Sequence, residues 1–185
     1  MSRLTSIILR CGDQIVTSPL VVLVGAPGSG KSAVGSALAR LWNVDFRDTD
    51  ADIEQATGRT IADIFVDDGE QAFRKLEREA VAAALLEHTG VVALGGGAIT
   101  SEEVRRLLAD HRVVWLQVGL ATAAARVGLN RDRPLLMGNV RNTLLRLMQE
   151  RAPWYESVAA FSVDTDAKSI GSIVDEIVAG LGDDR

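Results

Sequence analysis

The stretch Gly25-Ala26-Pro27-Gly28-Ser29-Gly30-Lys31-Ser32 fills the pattern G-x-x-x-x-G-K-[ST] without a mismatch. Glycines at 28 and 30 let the backbone turn so tightly that successive N–H groups face inward, and a concave row of such donors binds anions. Lys31 can set its ammonium on the outer phosphates of a nucleoside triphosphate, and the Ser32 hydroxyl is an oxygen ligand of the kind Mg²⁺ takes. The loop does not choose the acceptor. Transfer of a phosphoryl group to water, to a protein or to a small molecule all fit it.

Three further groups bear on the acceptor. Asp48-Thr49-Asp50 ends a short stretch, residues 44–48, that reads as a strand. Residues two apart in extended backbone face the same side, so both carboxylates are expected in one cleft, one to hold a water on Mg²⁺ and the other to take a hydroxyl proton. Gly95-Gly96-Gly97 follows a second strand and exposes backbone N–H donors to close approach. Arg74 has Glu77 three residues on, a helical spacing that lets the acid hold the guanidinium. Arg133 stands in the polar stretch Gly128-Leu129-Asn130-Arg131-Asp132-Arg133-Pro134, read as a lid between two helices. Arg151 precedes Pro153, which is expected to break or kink its helix and aim the residues before it. Guanidinium forks match carboxylate or phosphate with two bonds, so several of them select an anionic ligand.

The elements that must carry these residues alternate. Short apolar runs at 20–24, 91–94, 113–117 and 161–164, with a weaker one at 44–48, read as strands, and helical spacing appears at 32–42, 69–88, 101–109, 142–155 and 170–181. Thr60 and Ser101 offer caps for helices that start after them. Strands apolar on both faces suit a parallel sheet covered by helices on both sides. The 185 residues, 47% hydrophobic and only 4% aromatic, give one domain with an aliphatic core. Twenty basic and 25 acidic residues leave a net charge of −5, which excludes a broad cationic surface for nucleic acid or anionic lipid. No apolar run approaches the roughly 20 residues that span a bilayer. A lone cysteine, Cys11, fits a reducing compartment, so the cytoplasm is expected. His88 and His111 stand at element ends without a partner at metal-ligand spacing, and the three tryptophans read as packing residues, although Trp154 beside Pro153 is placed to touch a substrate. Residues 1–19 have no partner in the alternation and read as an arm or an added edge strand; 20–185 read as the single domain, with the lid at about 128–139.

In their order, these pieces resemble the shikimate kinases, small nucleoside-monophosphate-kinase-like members of the P-loop family. The resemblance runs from about residue 20 to the C-terminus. Besides the phosphate loop and Asp48-Thr49-Asp50, it rests on Gly58-Arg59-Thr60-Ile61-Ala62-Asp63-Ile64-Phe65, Glu70-Gln71-Ala72-Phe73-Arg74, Gly95-Gly96-Gly97-Ala98, Arg133-Pro134-Leu135-Leu136 and Arg151-Ala152-Pro153-Trp154-Tyr155. It implies a three-layer αβα fold with a five-stranded parallel sheet in the order 2-3-1-4-5. It implies transfer of the ATP γ-phosphoryl group to the 3-hydroxyl of shikimate, with Mg²⁺, by a cytoplasmic monomer. On the matching positions, Gly28, Ser29, Gly30, Lys31, Ser32 and Ala33 would hold the triphosphate, with Ser32 and Asp48 at the metal. Asp50 would bind the ring hydroxyls and act as base, Arg74 and Arg151 would grip the carboxylate, and Gly95, Gly96 and Gly97 would line the acceptor cleft. Arg133 would neutralise the transferring group from the lid, and Arg126 and Lys168 would lie against adenine. A kinase of another hydroxy acid, such as gluconate, and a nucleotide-binding regulator are the competing readings.

Overall fold

The structure is a computed structural model that describes residues 9–11, 14–16, 18–128 and 140–182. Two short strands, β1 (Leu9–Cys11) and β2 (Gln14–Val16), pair antiparallel with each other in a sheet of their own, so this segment adds no edge strand to the main one. The main sheet holds β3 (Val21–Val24), β4 (Phe46–Asp48), β5 (Val91–Ala93), β6 (Val113–Gln117) and β7 (Phe161–Asp164). All four pairings are parallel and the spatial order is β4-β5-β3-β6-β7, which counted along the chain is the expected 2-3-1-4-5.

Successive strand residues point to opposite faces, and here both faces are buried. Val21, Leu23, Val91, Ala93, Val114, Leu116 and Val163 pack under α1 (Lys31–Trp42) and α8 (Ile170–Leu181), through Val34, Leu38, Ile173 and Ile177. Val22, Val24, Val92, Leu94 and Val113 face the other way. They meet Val81 and Ala84 of α4 (Gly69–Glu87), Val104 of α5 (Glu102–Leu107) and Tyr155 of α7 (Val140–Val158). Two apolar layers about one sheet give the αβα sandwich. Of the remaining helices, α2 (Thr49–Thr57) and α3 (Ile61–Asp67) pack on α4 through Ile53, Ile64 and Phe73, and α6 (Leu120–Gly128) packs on α7 through Ala123, Val127 and Leu144. Among the described residues no helix is long and apolar enough to cross a membrane.

Three local expectations need correction. Asp48 ends its strand and caps α2, so Asp50 lies in a first helical turn and not in extended backbone. Pro153 does not break its helix, since α7 continues to Val158. A proline removes one i→i−4 bond, but Tyr155, only 2% exposed, with Trp154 and Val158 packs into the core just beyond it, and this burial holds the last turns in place. The helix expected at 101–109 is also shorter, with single 3₁₀ turns at Ala98–Thr100 and Leu108–Asp110 on either side. Thr60 and Ser101 cap as expected, accepting from the N–H groups of Asp63 and Val104.

Candidate functional site

The phosphate loop leaves β3 and turns into α1. Gly28 and Gly30 hold φ values of 81° and 90°, where a side chain is strained. A Cβ on Gly28 would also lie 2.9 Å from the Ala123 carbonyl oxygen, so α6 packs directly on the loop. Ser29 is fully buried beneath it. Gly30 caps α1 without a side chain, and the first turn carries no acidic residue, so the positive helix end is left to attract anions. The Lys31 ammonium lies on the Gly25 and Ala26 carbonyls at 2.9 and 3.3 Å. Ser32 Oγ donates to Asp48 Oδ2 at 2.7 Å, which brings side by side the two residues expected at the metal, Asp48 through a water. Asp48 Oδ1 accepts the Asp50 N–H at 3.1 Å. Arg126 reaches over from α6, donating to the carbonyls of Gly28 at 3.0 Å and Thr165 at 3.4 Å.

Next to the loop stands the glycine triplet. A Cβ on Gly96 would lie 3.2 Å from Pro27 and 3.4 Å from the Gly25 oxygen, so the triplet is in contact with the phosphate loop. It gives its neighbours room. A Cβ on Gly95 would lie 2.3 Å from Asp50 Oδ1 and 2.9 Å from Glu77 Oε1, and one on Gly97 would lie 2.1 Å from Arg74 Nη1. The Gly95 N–H is taken by the buried Thr49 hydroxyl at 3.0 Å. Arg74 donates to Glu77 at 2.6 Å and Glu70 at 3.0 Å, with its guanidinium 5.4 Å from the centre of the Phe73 ring. Arg151, 6% exposed, donates to the Gly96 carbonyl at 2.8 Å, and the Tyr155 hydroxyl donates to the same oxygen at 2.7 Å.

Burial decides the electrostatics here. Desolvation pushes the Glu77 carboxyl up to about 7, and the Asp50 charge adds to the rise, while Arg74 and Arg151 pull it back. Tyr155 is likewise pushed up to about 12 by burial, against the pull of Arg151. The Asp50 carboxylate, a carboxyl with a raised pKa and two guanidinium groups therefore meet at one glycine loop. Such a set can bind a small anion that also carries hydroxyls.

A cavity of about 330 Å³ runs along the phosphate loop as far as Asp48 and Asp50, with Arg74, Arg151 and the glycine triplet outside its lining. Gly28, Gly30, Lys31, Ser32, Ala33, Asp48, Asp50 and Arg126 all line it, as expected of the donor and acceptor sides. Arg74, Arg151 and Gly95 to Gly97 gather beside Asp50 through the contacts above. Lys168 is not in the cavity lining; its ammonium pairs with Glu176 of α8 at 2.5 Å. Arg133 and the expected lid beyond Gly128 lie outside the described residues. Ser32 and Asp48 offer hydroxyl and carboxylate oxygen, the donor types Mg²⁺ takes together with phosphate oxygens and water. No cluster of three His, Cys, Asp or Glu suited to a metal occurs among the described residues. His88 Nε2 lies 3.1 Å from the Asp45 carbonyl and His111 Nδ1 lies 3.1 Å from Ser18 Oγ, so both tie segments together. Trp154 packs under Arg105, 5.1 Å from its guanidinium, and not in the cavity lining. The sequence reading named Thr49 and Tyr155 within motifs but gave them no role, because a buried hydroxyl reveals its role only through its partner.

A family model described as shikimate kinase matches residues 27–181. The shikimate kinase of Frankia casuarinae is 56% identical over 171 residues, covering 92% of this chain and 76% of that one. That of Thermobifida fusca is 59% identical over 147 residues, covering 80% and 86%. A solved shikimate kinase from Acinetobacter baumannii, in complex with shikimate, superposes with a TM-score of 0.83 at 34% identity, over 87% of this chain and 90% of that one. With sequence and fold both matched along most of the chain, and the phosphate loop in the place such a fold requires, this chain belongs to the shikimate kinase family.

Proposed function

We propose that the chain transfers the γ-phosphoryl group of ATP to the 3-hydroxyl of shikimate, giving shikimate 3-phosphate and ADP, in the route to chorismate and the aromatic amino acids. The observation that carries the reading is the contact between the triplet and the phosphate loop, which sets Asp50, Arg74 and Arg151 beside a triphosphate cradle.

In this reading Gly28, Ser29, Gly30, Lys31, Ser32 and Ala33 hold the triphosphate, and Lys31 turns from the loop carbonyls to the β- and γ-phosphates. Ser32 and Asp48 would hold Mg²⁺, which when bound neutralises phosphate charge. Asp50 orients the acceptor hydroxyl and takes its proton as the oxygen bonds to phosphorus and the bond to the ADP oxygen breaks. Arg74 and Arg151 hold the carboxylate, while Gly95 to Gly97 let the acid come close to the backbone. Arg126 lies toward the base, with Lys168 a second candidate there. Arg133, from a lid at about 128–139, would neutralise charge on the group in flight. Positioning and charge carry such a transfer, with little covalent chemistry asked of the protein. We place residues 20–185 in one catalytic unit and 1–19 in an arm outside it, and we read the protein as a cytoplasmic monomer, in keeping with its single cysteine.

The test is ADP release with ATP and Mg²⁺ in the presence of shikimate, of gluconate, or of neither. Turnover with shikimate is expected. Preference for gluconate overturns the reading, and ATP binding with no product from any acid makes the chain a regulator.

A further inference from the structure

Tyr155 has no part in the reading above, yet its hydroxyl is buried at the acceptor side. Its ring stacks on Trp115 with centroids 5.7 Å apart. Its Oη and Arg151 Nη1 donate to the same Gly96 oxygen, at 2.7 and 2.8 Å. A carbonyl oxygen has two lone pairs, and these donors use both. Neighbouring groups of the loop are fixed elsewhere: Gly95 N–H on Thr49, Gly95 O by Ala98 N–H and Gly97 O by Thr100 N–H. Gly96 itself has no side chain to set its peptide plane. An arginine side chain has several soft torsions, and a fork is selective only when its plane is held.

We propose that Tyr155 is a positioning residue for acid recognition: by donating to the Gly96 carbonyl it sets that peptide, and through it the aim of the Arg151 guanidinium at the acceptor's carboxylate. This deepens the assignment of Arg151 to the shikimate carboxylate and rests on it. Burial keeps the phenol protonated up to about pH 12, so it remains a donor at any working pH. Phenylalanine keeps the ring and its stack, which allows the hydroxyl to be removed alone.

The experiment is steady-state kinetics on Tyr155→Phe, Arg151→Ala and the double variant, varying each substrate in turn, with thermal melts. Tyr155→Phe should raise KM for shikimate about fivefold, the effect of one hydrogen bond. KM for ATP and kcat should stay within about twofold, and in the Arg151→Ala background the second change should add nothing. Trp115→Phe, which disturbs the stack and keeps the hydroxyl, should leave KM for shikimate unchanged. A rise in Arg151→Ala with none in Tyr155→Phe sinks the inference and leaves the assignment of Arg151 standing. No rise in Arg151→Ala removes the assignment and the inference together. Additive effects, or equal rises for both substrates, make Tyr155 a packing residue only and also overturn the inference.

Discussion

Among single residues, Asp50 and Glu77 show how burial and neighbours divide the work of two carboxyl groups. Asp50 lines the cavity in the first turn of a helix that Asp48 caps, so Asp50→Asn should leave α2 intact. We expect its kcat to fall by about 10²–10⁴, the usual worth of a positioned base, with an unchanged melting curve; retained turnover would remove Asp50 as base. Glu77 titrates at about 7 in the fold against an ordinary 4.5. Between these values the folded chain holds a proton that the unfolded chain has lost. The stability this group contributes is thus full below about 4.5 and disappears as pH rises through about 7. Glu77→Gln cannot ionise, so the melting temperature of the variant minus that of the parent should climb between pH 5 and pH 8. A flat difference across that range would show that Glu77 is not buried as described.

Elements place these groups by close approach. The loop after β5 passes under Arg74, and a methyl on Gly97 would meet the far end of that flexible side chain. With φ at −95°, the backbone of Gly97 accepts alanine without strain. Gly97→Ala should therefore swing Arg74 aside and spare the fold. KM for shikimate is expected to rise about tenfold, the scale of one charge-assisted contact, with ATP binding kept; a large loss of melting temperature with normal KM would assign Gly97 to packing. The central strands β3, β5 and β6 were legible because they are apolar on both faces, and β6 and β7 match their expected limits residue for residue. The start of α2 was not, since the capping bond of Asp48 overrides what a strand-ending D-x-D suggests. Nor was the continuation of α7 through Pro153, because the residues that hold it, Tyr155 and Val158, act through the core and not through local propensity.

For the whole molecule, the residues proposed to act in the transfer belong to the main sheet and its helices and not to the amino-terminal strand pair. The family match begins at residue 27, and β1 and β2 form their own sheet. Removing residues 1–17 should accordingly leave kcat and both KM values within about twofold of the parent, since no group assigned to binding is lost; a collapse of turnover would make the arm part of the enzyme. The phosphate loop was the most readable part of the site, as each of its residues has a job dictated by backbone geometry. The convergence of Arg74 and Arg151 needed a family likeness, because guanidinium groups 77 positions apart in sequence carry no spacing signal. One carboxylate closes the account: Asp48 gives one oxygen to Ser32 on α1 and the other to the first turn of α2. The helix proposed to receive the donor and the helix proposed to present the base are thus pinned to a single short side chain. Any drift of one drags the other, so in the proposed transfer the gap between phosphorus and the attacking oxygen would be gauged by a ruler one residue long.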